Sequence, residues 1–148
     1  METCSLCSPD LAPKIAESEY WKLILNHNQR FLGACFWVLR RHLESITELT
    51  STEWADLQPA IIQTTQALVR SFEPDHFNYV FLQNQDRHVH MHIYPRYAQP
   101  RSFAGATFED TDYPSHYTVP APSRNLIAEQ YELIAQALRS AFATTMAT

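Results

Sequence analysis

The sequence predicts a single α+β domain built on a mostly antiparallel sheet, and three observations carry that reading. Apolar runs of strand length come in two pairs with short polar connections, and each pair is followed by a segment with helical spacing of its apolar residues. The chain has 148 residues, the size of one ordinary domain, and 45% of them are hydrophobic, enough for a core. No internal repeat or low-complexity tract interrupts it.

The elements follow in order. Tyr20 to Leu25 is aromatic and β-branched, and Gly33 to Leu39 is a second apolar run. The polar turn Asn26-His27-Asn28-Gln29-Arg30 joins them as a hairpin. Thr50 and Glu53 stand at the spacing of a capping box. Trp54, Leu57, Ile61, Leu68 and Phe72 then follow helical spacing until Pro74, which predicts a helix from about Thr52 to Phe72. Phe77 to Leu82 and Val89 to Tyr94 read as a second hairpin with about five residues between its strands. The stretch from Pro95 to Pro122 carries five prolines and reads as irregular, and a loop of that length in a compact domain is often functional. The chain closes with a helix over about 123–143, on which Ile127, Tyr131, Ile134 and Leu138 share a face.

Charge and cysteine usage narrow the function classes. A net charge of −5 argues against a nucleic-acid binder, which needs a basic face, but allows one anionic nucleotide held by a local cluster of donors. The residues after Met1 are polar, and the longest apolar run, Gly33 to Leu39, is too short to span a bilayer. Three cysteines in a chain of this size do not make a disulfide framework. These features predict a cytoplasmic protein that binds neither nucleic acid nor membrane.

The chemistry is concentrated in His88-Val89-His90-Met91-His92. On a strand the three histidines point one way while Val89, Met91 and Ile93 point the other. A histidine-rich solvent face is the plain reading, and a metal site is the next. His88 and His92 are roughly 13 Å apart along a straight strand, too far for both to reach one ion with bonds of about 2 Å. The three must divide their labour.

His88 to Tyr94, followed by Pro95-Arg96, resembles the motif of the histidine triad family of nucleotide hydrolases and transferases. Leu25-Asn26, Gly33, Cys35 to Leu39 and Arg40-Arg41-His42 resemble that family's first hairpin, so the likeness covers roughly residues 4 to 97. It implies a sheet of about five strands with two main helices, usually in a homodimer. It also implies that His90 is the nucleophile that takes a nucleotidyl group, and that His92 contacts the phosphoryl oxygens. By the same likeness Asn26 holds the ribose and Asn84 contacts phosphate, with the base against Ile24 or Leu25. Asn26 reads equally well as a turn residue. Ala34 stands where the family often has a histidine, and the loop before His88 is short. The group that protonates the leaving group stays open among Arg87, Gln85 and Arg96.

Cys4 and Cys7 form a Cys-x-x-Cys pair, alone a weak signal. In the histidine triad family and its uridylyltransferase relatives, such a pair binds zinc with the histidine ending the second strand and the first triad histidine. The likeness thus implies structural zinc on Cys4, Cys7, His42 and His88, clamping an N-terminal arm, residues 1–10, to the sheet; free thiols on a surface arm are the alternative. Cys35, inside an apolar strand, reads as core. Three functions fit: a hydrolase of dinucleoside polyphosphates or nucleoside phosphoramidates, a nucleotidyl transferase or phosphorylase, and a zinc-stabilised nucleotide-binding module without turnover.

Overall fold

A computed structural model describes residues 4–119 and 122–146, with side chains through residue 143. Five antiparallel strands form the main sheet: β1 (Lys14–Glu17), β2 (Trp21–Leu25), β3 (Cys35–Leu39), β4 (His76–Val80) and β5 (His90–Arg96), in the order β1-β2-β3-β5-β4. Two helices, α1 (Ser51–Phe72) and α2 (Ala128–Met146), cover one face, and β6 (Arg101–Phe103) pairs with β7 (Ala106–Phe108) in a separate ribbon. This is the α+β architecture the sequence predicts. No helix among the described residues is long and apolar enough to cross a membrane.

Side-chain alternation gives the sheet two unlike faces. Trp21, Leu23, Leu25, Cys35, Trp37, Leu39, Met91 and Ile93 face the helices and are buried with Leu57, Leu68, Phe72, Ile134 and Leu138. The buried indoles are anchored: Trp37 donates to Thr64 Oγ1 at 2.7 Å and Trp21 to the Glu53 carbonyl at 2.9 Å. The α1 capping box forms as the sequence implies, with Glu53 Oε1 also accepting from Arg41. Gly33 is required where it stands. Its φ is +88°, and an added Cβ would lie 2.7 Å from Leu68 Cδ2.

Several boundaries differ from expectation. β4 ends at Val80 rather than Leu82, and β5 begins at His90 rather than Val89, so the connection spans residues 81–89. Val89 is drawn off the ladder, donating to the Leu43 carbonyl while its own carbonyl accepts from Leu39. α2 starts at Ala128, not near Ser123, leaving Ile127 63% exposed before the helix; Tyr131 is half-buried, and Ile134 and Leu138 carry the core face. Trp54 lies on the outer side of α1, 42% exposed. β1 and the β6-β7 ribbon were not anticipated. The segment read as irregular holds that ribbon and then a strap over 109–118, while Pro120 and Ala121 lie outside the described residues.

Candidate functional site

The second face of the sheet carries the histidines. Ile24 pairs with Phe36 and Phe36 with His92, while Val38 pairs with His90, so alternation puts all five side chains on this face. Rings are nested along β5: His90 to His92 at 4.8 Å, His92 stacked on Tyr94 at 5.2 Å and 11°, and Phe36 within 5.9 Å of both histidines. His90 is 6% exposed.

The nitrogens of His90 are distinguished by its backbone. Nδ1 lies 2.6 Å from the His88 carbonyl, and only a protonated Nδ1 can donate there. In the neutral ring Nε2 is therefore left with the lone pair of a nucleophile. His92 differs. Burial, aided by the neighbouring His90, pushes its pKa down to about 4, so it is neutral near pH 7. Its Nδ1 is buried without a hydrogen-bond partner among the described residues, an arrangement that is costly unless a ligand completes it.

His88 lies just before the strand and turns away from this pair. Its Nε2 donates to the Leu39 carbonyl at 2.7 Å, freeing Nδ1 as a ligand atom. That Nδ1 lies 3.3 Å from Cys4 Sγ, 3.4 Å from Cys7 Sγ and 3.3 Å from His42 Nδ1, and Cys7 Sγ is 3.4 Å from His42 Nδ1. A tetrahedral ion with bonds of about 2.0–2.3 Å holds its ligand atoms about 3.3–3.8 Å apart. Cys4, Cys7, His42 and His88 are thus spaced to hold one metal ion. Cys35 is fully buried in the sheet's core face.

The other anticipated residues fare unequally. Asn26 follows β2, and its Oδ1 accepts from the Asn28 amide in a local turn, as the plain reading has it. Both of its neighbours, Leu25 and His27, line a cavity of about 560 Å³ that also reaches Ile24 and Phe36. Asn84 is exposed, in a loop tied down by the Ser5 hydroxyl donating to Asp86 and the Gln83 amide donating to the Glu44 carbonyl. No contact among the described residues brings Asn84 to His90 or His92. Gln85 and Arg87 are also exposed. Arg96 is 2% exposed, and four of its five N–H groups are engaged with the strap and with Asn78, not with the histidines. It pairs with Asp110 at 2.7 and 3.1 Å, and donates to Asn78 Oδ1 and the Ser115 carbonyl.

That ion pair holds the strap against the sheet. Tyr117 on the strap meets Tyr94 at 5.1 Å and Phe31 at 6.3 Å, walling the side of the site beyond His92. Phe36, Tyr94 and Tyr117 line the site although the sequence assigns them no role there. The first two were accessible from sequence, since Phe36 and Tyr94 share the parity of the site-facing positions on their strands. Tyr117 had no such signal.

Comparison with solved structures agrees with this architecture. A histidine triad protein from Marinobacter aquaeolei VT8 is similar over 89% of this chain and 89% of its own, with a TM-score of 0.72 and 19% identity. One from Bradyrhizobium japonicum is similar over 88% of this chain and 90% of its own, with a TM-score of 0.71 and 19% identity. A zinc-bound histidine triad family protein from Mycobacterium smegmatis is similar over 92% of this chain and 88% of its own, with a TM-score of 0.63 and 19% identity. No family model and no curated protein matches the sequence. The fold is that of the histidine triad proteins, and this likeness supports the family resemblance read from the triad.

Proposed function

We propose that this chain is a nucleotide phosphohydrolase, of the dinucleoside polyphosphate or nucleoside phosphoramidate type, acting through a nucleotidyl-histidine intermediate on His90. The observation that carries the reading is the Nδ1–H bond from His90 to the His88 carbonyl, which leaves Nε2 as the unprotonated nitrogen next to His92. Nε2 attacks the α-phosphorus, and the bond to the leaving group breaks with its electron pair going to that group. Water then attacks the same phosphorus, the N–P bond breaks and neutral His90 is restored. His92 meets the phosphoryl oxygens, where a nearby donor stabilises developing charge. The ribose lies at Asn26 and, of the two apolar candidates, the base lies against Ile24, since Leu25 is buried on the helix-facing side of the sheet.

Cys4, Cys7, His42 and His88 hold structural zinc in this reading. Two thiolates and two imidazoles fill the coordination sphere and leave no position for a water. The protein works as a homodimer in a reducing, cytoplasmic compartment that keeps Cys4 and Cys7 as thiols. A panel of adenosine and guanosine phosphoramidates and dinucleoside polyphosphates, read by product chromatography, tests the activity. The expected product is the nucleoside monophosphate, whether or not inorganic phosphate is added. Nucleoside diphosphate formed only with added phosphate would make the enzyme a phosphorylase, and no turnover of any member would reduce it to a binding module.

A further inference from the structure

The open cavity beside Phe36 is lined by three separate parts of the chain. Ser8, Asp10 and Leu11 come from the N-terminal arm, Ile24 and Phe36 from the sheet, and Tyr131 and Glu132 from the first turns of α2. Leu11, Ile24 and Phe36 give it apolar walls suited to the faces of a base, while its polar residues lie on the arm, on the helix and at His27 after β2.

Most of those polar groups are already engaged. The Tyr131 hydroxyl donates to the His27 carbonyl and accepts from the Leu126 amide. The Glu132 carboxylate pairs with Arg139 at 2.6 Å. Ser5 donates to Asp86, and Ser8 Oγ accepts from the Asp10 amide. Asp10 and His27, by contrast, line the cavity with no side-chain ion pair or hydrogen bond among the described residues, and the His27 ring is set edge-on against Tyr131 while the Asp10 carboxylate has no such contact.

We propose that Asp10 reads the nucleobase and that the cavity selects guanine, an inference that rests on the nucleotide reading above. An ionised carboxylate offers acceptors only. Guanine presents two adjacent donors, N1–H and the 2-amino group, which match the two oxygens of one carboxylate. Adenine and cytosine set an amino group beside a ring nitrogen whose lone pair would face the second oxygen. Uracil sets its single N–H between two carbonyls. Hypoxanthine keeps N1–H and lacks the 2-amino group, so it isolates the second contact. Discrimination by such a paired contact is about tenfold.

Calorimetric titration of the intact protein with GMP, IMP and AMP tests this directly. Wild type is expected to bind GMP about tenfold more tightly than IMP or AMP. Asp10→Asn leaves one oxygen to accept from N1–H and sets an amide donor against the 2-amino group, which narrows the GMP-to-IMP ratio to within about twofold; Asp10 is exposed, so the core is untouched. Equal affinities in wild type, or an unchanged ratio in Asp10→Asn, would overturn the assignment. The two readings separate cleanly. GMP preference without phosphoramidate turnover sinks the hydrolase and keeps the base site, whereas turnover with no base preference sinks the role of Asp10 alone. Failure to bind any of the three monophosphates overturns both.

Discussion

His88 gives its Nε2–H to the Leu39 carbonyl and His90 gives its Nδ1–H to the carbonyl of His88, so the two rings present opposite nitrogens. The alternation of the motif shows that these side chains share a face, but a tautomer depends on which carbonyl lies within reach, and that is set by the strand's neighbours. His92 has no such carbonyl, and burial holds it neutral with a pKa of about 4. The sign of the pH effect follows. Above the unfolded value of about 6.5 both states are neutral and stability does not depend on this residue. Below it the unfolded chain takes up a proton that folded His92 refuses, so stability falls as pH drops from 6.5 towards 4. Between pH 6.5 and 5 the loss from His92 is about 2 kcal/mol. Urea unfolding of wild type and His92→Asn at both pH values measures it: the variant is expected to show the shallower decline, and equal declines would mean that His92 is not held neutral by burial.

At the level of elements, the functional face is framed by two irregular segments, the arm before β1 and the strap over 109–118. The long strands and α1 were legible because their apolar period is unbroken. β1 was not, because Lys14–Glu17 is short and half polar, with an irregular register between Lys14 and Ala16. The three-residue strands β6 and β7 fall below any period. The strap is held by the buried Arg96–Asp110 pair, a contact between residues 14 apart that no local spacing announces. The arm was legible through Cys-x-x-Cys, although its use as a wall of the cavity was not. In the proposed zinc form, Cys4→Ser leaves three ligands and releases the arm. The expected result is a lower melting temperature and a weaker apparent affinity for nucleotide, because Ser8, Asp10 and Leu11 lose their position. Elemental analysis of protein prepared without chelators is expected to find one zinc per chain, and finding none would refute the site.

Among the described residues, exposed apolar side chains gather outside the site on α1 and beside β4. Ile62 and Val69 on α1 are 47% and 46% exposed, and Tyr79 and Leu82, on and just beyond the edge strand β4, are 44% and 43% exposed. The Trp54 and Phe81 rings meet at 6.0 Å, and the hydroxyls of Thr65 and Tyr79 bond at 2.9 Å, so helix and strand form one patch. An unpaired strand edge beside apolar side chains is a surface that a second copy can cover. Light scattering is expected to give a dimer for wild type and a monomer for Ile62→Glu; a wild-type monomer at micromolar concentration would contradict the homodimer.

The central claim is that His90 Nε2 forms the bond to phosphorus. It is tested most directly by turnover of a nucleoside phosphoramidate by His90→Asn, alongside calorimetric affinity for the product monophosphate. The account predicts that turnover falls by about a thousandfold or more while affinity stays within about tenfold of wild type. Turnover within about tenfold of wild type in a variant that has no imidazole at this position would contradict it.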